Sequence, residues 1–175
     1  MVGENGGGSW PTESAGSWFV VRTRSRHERI LARHLRDRRI AHFLPLARVT
    51  RDYAGYQANV ESPVFPGYVF LRGTLDDVHA ADRTRRVTEV MPVSDQSQLD
   101  AELRNLHAAL LSNAPLAPSP YLHSGVRARV REGPFAGLQG VVEDVARRDR
   151  IILQVNVLGS AVSLEIQGDV FELIE

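Results

Sequence analysis

Three prolines within six residues, Pro115, Pro118 and Pro120, separate stretches with incompatible hydrophobic periods. Before them, Leu99, Leu103, Leu106 and Leu110 recur at the i, i+3/i+4 spacing of one helix face. After them, short β-branched runs alternate with turn residues, and no helical period survives. A proline lacks the amide hydrogen and pushes the residue before it out of the helical region. The leucine helix must therefore end here, and residues 113–120 read as a short, stiff, extended linker. The expected organisation is an N-terminal domain over 17–112 and a C-terminal domain over 121–175.

The first domain opens on Trp18-Phe19-Val20-Val21-Arg22, an aromatic and β-branched run suited to a buried strand. Ser25 and Glu28 stand at the spacing of a capping box ahead of a helix whose apolar stripe is Ile30, Leu31, His34 and Leu35. His34 reads as a packed or half-exposed member of that stripe. Ala41 to Thr50 reads as a strand that Pro45 assigns to an edge or bulge, with Tyr53-Ala54-Gly55-Tyr56 as a hairpin tip. Gln57 to Phe65 and Tyr68 to Leu71 return as strands. Thr74 and Asp77 cap a short helix to about Asp82, Arg86 to Met91 alternates as a strand, and Ser97 caps the leucine helix. This order predicts an α+β fold, an antiparallel sheet with helices on one or both faces. The C-terminal strands are expected at Val126 to Arg131, Gln139 to Val145, Ile151 to Val157, Ala161 to Ile166 and Val170 to Ile174. They suit a small β-barrel near the lower size limit for a core without metal or disulfide. Residues 1–16, mostly Gly, Ser, Glu, Asn and Pro around Trp10, read as a disordered tail.

Charge adds a second asymmetry. The 21 basic and 21 acidic residues cancel, yet from Arg22 to Arg51 ten arginines face only Glu28 and Asp37. From Asn113 onward six arginines face eight acids. Every basic residue is Arg, a forked donor suited to phosphate. A basic front and a mildly acidic back predict different partners for the two halves, or a solvated helix face in front. The sequence contains no cysteine, apolar run of membrane-spanning length, Gly-rich phosphate loop, HExxH, GxSxG or histidine pair at metal spacing. Asp76 and Asp77 suit a helix cap better than a metal pair. No enzyme, catalytic residue, metal or cofactor is expected, and a cytoplasmic location is the default.

The run Gly125-Val126-Arg127-Ala128-Arg129-Val130-Arg131-Glu132-Gly133-Pro134-Phe135-Ala136-Gly137-Leu138-Gln139-Gly140-Val141-Val142 resembles the KOW motif of SH3-like domains associated with nucleic acids and ribosomes. There a strand enters a Gly-Pro turn, Phe135 projects from the loop, and Gly137 and Gly140 return the chain as a second strand. The tryptophan-led strand, the Arg-rich helix and Ser62-Pro63-Val64-Phe65-Pro66-Gly67-Tyr68-Val69-Phe70-Leu71 resemble the N-terminal domain of the NusG family. The two motifs in this order span about residues 17 to 175. The resemblance implies a transcription elongation or antitermination factor that bridges the RNA polymerase cleft. An apolar patch at Trp18, Phe65, Pro66, Tyr68 and Phe70 would dock on the clamp helices of the largest subunit. His79 would face the opposite gate loop, in a segment that keeps this histidine but lacks the family's hydroxyl residues. It further implies contact with the non-template DNA strand through Arg24, Arg26, Arg29, Arg33 and Arg36. The loop bearing Phe135 would contact a small-subunit ribosomal protein or the termination factor Rho. The protein is expected to work as a monomer away from membranes. The compact linker, the Arg-rich helix and Glu89-Val90-Met91-Pro92 lean toward a specialised paralogue of the RfaH/UpxY type. An RNA-binding or ribosome-associated KOW protein is the competing reading.

Overall fold

Alternation in the first strands decides the layering of the N-terminal half. In a computed structural model, which describes residues 10, 11, 15–144, 149–166 and 171–175, the chain forms two units, residues 1–98 and 99–175. In the first unit, β1 (Ser17–Thr23), β2 (Ala41–Phe43), β5 (Tyr68–Gly73) and β6 (Val87–Pro92) form an antiparallel sheet in the order β2-β5-β1-β6. Val21, Val69 and Leu71 point to one face. There α1 (Glu28–Asp37) and α2 (Leu75–Asp82) bury Leu31, Ala32, Leu35, Val78 and Ala81 against them. Trp18, Val20, Phe43 and Phe70 point to the other face and are also buried.

The strand expected across Ala41 to Thr50 breaks at Pro45. β2 holds the sheet edge, whereas β3 (Leu46–Tyr53) leaves to pair with β4 (Tyr56–Pro63) as a separate two-stranded ribbon. The Thr74–Asp77 capping box forms in full, and its helix ends at Asp82 as the spacing predicts. Two predicted caps do not form. α1 starts at Glu28 with His27 at its N-cap and no side-chain cap, which leaves Ser25 two residues ahead of the cap position, and the Glu28 carboxylate accepts from Gly67 N–H instead. α3 (Gln96–Leu111) starts before Ser97, with Asp95 accepting from the Gln98 amide at 2.9 Å. The Gln96 side-chain amide accepts from Trp18 N–H and donates to Trp18 C=O, continuing the β1 ladder one residue beyond β6.

In the second unit, all four leucines of the expected α3 row are buried. Grouped by packing, residues 99–111 of α3 fall with the C-terminal strands and not with the sheet that precedes them. Asn105 accepts from the Gln139 amide and Glu102 from the Asn156 amide, both at 3.2 Å. Residues 116–119 of the expected linker are extended, but as a strand of the sheet itself: β7 (Leu116–Ser119) pairs with β11 (Ser160–Glu165) at its edge, the position a proline tolerates. With β8 (Val126–Val130), β9 (Gln139–Val142), β10 (Arg150–Val155) and β12 (Phe171–Leu173) the order is β12-β8-β9-β10-β11-β7. The meander β8-β9-β10-β11, with β12 returning to pair with β8, is the arrangement of a small SH3-like barrel. Ile151, Ile152 and Leu153 are buried in succession, so both faces of β10 are covered. The predicted strand ends at Val145 and Val170, and most of the expected tail, lie outside the described residues.

Candidate nucleic-acid and protein interface

The segment Phe65-Pro66-Gly67-Tyr68 is a turn held from both sides. Gly67 has φ +88°, the left-handed value that glycine accepts after a proline in such a turn. Its N–H donates to Glu28 Oε1 at 2.7 Å, its C=O accepts from Thr23 N–H at 2.8 Å, and Tyr68 N–H donates to Phe65 C=O at 3.3 Å. Glu28 is only 6% exposed and Gly67 is half-buried, so this charge-assisted bond is partly shielded from water and fixes the turn to the start of α1. Pro66 lies exposed at the crest and Tyr68 is half-buried beside it.

The open aromatic surface expected from Trp18, Phe65 and Phe70 is not present. Their exposures are 2%, 6% and 0%. Part of the reason is Trp10, whose ring lies 5.8 Å from that of Trp18 and 5.3 Å from that of Phe43. A residue read as disordered tail thus packs on the sheet. Arg72, opposite Trp18 in the register, covers the Trp18 ring at 5.4 Å. The accessible members of the predicted docking set are Pro66, Tyr68 and the exposed His79 on α2.

Arg24, Arg26, Arg33 and Arg36 are exposed, and their guanidinium groups form no ion pair with a described residue. Arg29 differs: it donates to Glu61 C=O at 2.7 Å and lies 3.9 Å from the Glu61 carboxylate, tying α1 to the base of the β3–β4 ribbon. Beside Arg24 the fold brings a second basic loop that the sequence reading passed over. Arg24 N–H donates to Arg86 C=O at 2.9 Å, and Arg86 Nη1 lies 3.4 Å from His27 Nδ1. Arg83 and Arg85 are exposed in the same turn after α2. Arg26 and Arg85, in these adjoining loops, have φ +61° and +60°, strained values for residues with a Cβ. Arg86 Nε is buried without an acceptor among the described residues. The cluster Arg83-Thr84-Arg85-Arg86 was visible as letters; its proximity to Arg24 depended on the pairing of β1 with β6.

In the second unit the Gly-Pro loop forms between β8 and β9. Gly133 and Gly137 have φ +85° and +90°, and Gly137 N–H donates to Val130 C=O at 2.8 Å. Gly140 serves differently from Gly137: a Cβ there would lie 2.6 Å from Ile152 O, so its role is close approach of β9 to β10. Phe135 is half-buried, with Leu138 N–H donating to its C=O at 2.9 Å.

Among the described residues no group of three or more His, Asp or Glu could hold a metal ion, and no helix is long and apolar enough to cross a membrane. The family model described as transcription termination factor nusG matches residues 16–105. The transcription termination/antitermination protein NusG of Vibrio vulnificus is 31% identical over 86% of this chain and 91% of its own length. The protein of that name from Escherichia coli K12 is 28% identical over 85% and 91%. A solved structure of Thermotoga maritima NusG aligns over 91% of this chain and 97% of its own, at 17% identity and a TM-score of 0.44. On the sequence matches, which span both the basic first unit and the strand-rich second, the chain belongs to the NusG family.

Proposed function

We propose that this chain is a transcription elongation and antitermination factor that binds RNA polymerase across its cleft and modulates pausing or termination without catalysing a reaction. The observation that carries the reading is the clamped turn at 65–68, which presents Pro66 and Tyr68 from a rigid base. Pre-ordering of this kind reduces the entropy lost on docking. Pro66 and Tyr68 are the direct contacts to the clamp helices of the largest subunit, while the buried Trp18, Phe65 and Phe70 belong to the packing of the first unit. His79 faces the gate loop from α2.

The non-template strand runs over Arg24, Arg26, Arg33 and Arg36, with Arg29 anchoring the ribbon beside them. Arg83, Arg85 and Arg86 widen this track. Exposed guanidinium groups that pair with no acid among the described residues, as at Arg24, Arg26, Arg33 and Arg36, suit phosphate oxygens. The loop carrying Phe135 recruits a small-subunit ribosomal protein or Rho. The missing hydroxyl residues at 80–82 and Glu89-Val90-Met91-Pro92 support a specialised member of the RfaH/UpxY type.

The purified chain of residues 1–175 should bind core RNA polymerase. Tyr68→Ala should weaken that association while tryptophan fluorescence shows the first unit still folded. Arg33→Glu should reduce crosslinking to bubble DNA and spare polymerase binding. A folded wild-type chain that fails to bind core polymerase refutes the proposal.

A further inference from the structure

The ribbon formed by β3 and β4 pairs without interruption from Leu46↔Pro63 to Tyr53↔Tyr56, closed by Ala54 and Gly55. Strand alternation puts Val49, Arg51 and Tyr53 on one face with their partners Val60, Ala58 and Tyr56. The two tyrosines stack with centroids 5.3 Å apart and 20° between planes, yet they remain 43% and 64% exposed. They are the only large exposed aromatics among the described residues. Cross-strand stacking helps hold the ribbon and accounts for the ring faces turned toward each other. It leaves the outer face of Tyr56 open at the end of a projection.

We infer that this tip is a stacking site for the bases of single-stranded nucleic acid. An aromatic stack with an open end accepts another flat ring, and every base offers one whatever the sequence. Arg51 is exposed on the face of the rings two residues from Tyr53, with Asp52 on the opposite face, so a phosphate beside a stacked base meets positive charge. A duplex would not suit the tip, because its base faces are closed within the stack. The inference rests on the strand track proposed along α1 and extends it. Arg29 bonds Glu61 at the ribbon's base, and Tyr56 lies five residues further along β4, about 17 Å at roughly 3.3 Å per residue. One strand could thus lie on the arginines of α1 and place a base at the tip.

The test is fluorescence anisotropy of the full chain with a labelled single-stranded deoxyoligonucleotide of mixed sequence, and with its duplex, across a salt series. Tyr53→Thr/Tyr56→Thr should weaken single-strand binding at least tenfold. It should leave duplex binding and the slope of log Kd against log salt unchanged, because stacking releases no counterions. Tyr53→Phe/Tyr56→Phe, which keeps the rings and the ribbon, should bind as wild type. Arg33→Glu should weaken binding and lower the salt slope. The inference is overturned if the Thr pair binds single strands within twofold of wild type while Arg33→Glu still weakens them. It is equally overturned if the Phe pair loses as much as the Thr pair. A wild-type chain that binds no single-stranded DNA overturns the strand track together with the tip.

Discussion

Replacing Glu28 tests whether the turn at 65–68 is held as described. Its carboxylate is buried and accepts from Gly67 N–H at 2.7 Å. A hydrogen bond to a charged group contributes about 1.5–3 kcal/mol, and a donor left without a partner costs about 1–3 kcal/mol when buried. Gly67 is half-buried and recovers part of that from water, so Glu28→Ala should destabilise the first unit by about 2–4 kcal/mol. Glu28→Gln keeps an oxygen at the same position and should cost about 1 kcal/mol. Both tryptophans, Trp10 and Trp18, lie in the first unit. Urea unfolding followed by tryptophan fluorescence therefore reports on that unit even though the chain has two. At a slope of about 1–3 kcal/mol per molar, the Ala variant should lower the midpoint by about 1 M or more. Amide exchange at Gly67 should accelerate in the Ala variant and change little in the Gln variant. An unchanged midpoint, or Gln as damaging as Ala with Gly67 exchange unaltered, would refute the role given to this carboxylate.

Gly67→Ala should cost about 1 kcal/mol or slightly more, read in the same urea series, because φ +88° strains an alanine although no atom lies in the way. Gly140→Ala should disorder the barrel, seen as loss of dispersed amide resonances for β9 and β10, since its Cβ would meet Ile152 O at 2.6 Å. His42 is held below its usual pKa by burial and, to a lesser degree, by the nearby Arg36, against a raising bond from its Nδ1–H to Ile40 C=O. His107 is lowered by burial. A lowered folded pKa means that the unfolded chain binds more protons below pH about 6.5. Stability should be at its full value above that pH and fall as pH drops through it toward the folded pKa. His42→Leu should flatten the part of this loss reported by tryptophan fluorescence.

The elements were legible where one physical signal dominated. The leucine row of α3, the Thr74–Asp77 box, the Tyr53–Tyr56 tip and the Gly-Pro loop all depend on neighbours close in sequence, and all formed. What escaped depends on distant partners. Ser25 and Glu28 have the letters of a capping box, but Gly67, 39 residues away, takes the carboxylate. Pro115, Pro118 and Pro120 reveal extended backbone and conceal that residues 116–119 find a ladder partner in β11. The candidate site divides in the same way. Exposed arginines on α1 follow from its period, whereas Trp18 and Phe70 turned out sealed because alternation specifies a face without revealing what covers it.

Trp10 stands seven residues before the first strand, in a stretch that any domain dissection would trim. Shortening the protein to begin at Ser17 removes the indole resting on Trp18 and Phe43 and leaves both rings newly wetted. Such a truncated product would be stickier toward apolar partners for reasons of surgery alone. Affinity measured on it would overstate what the intact chain achieves.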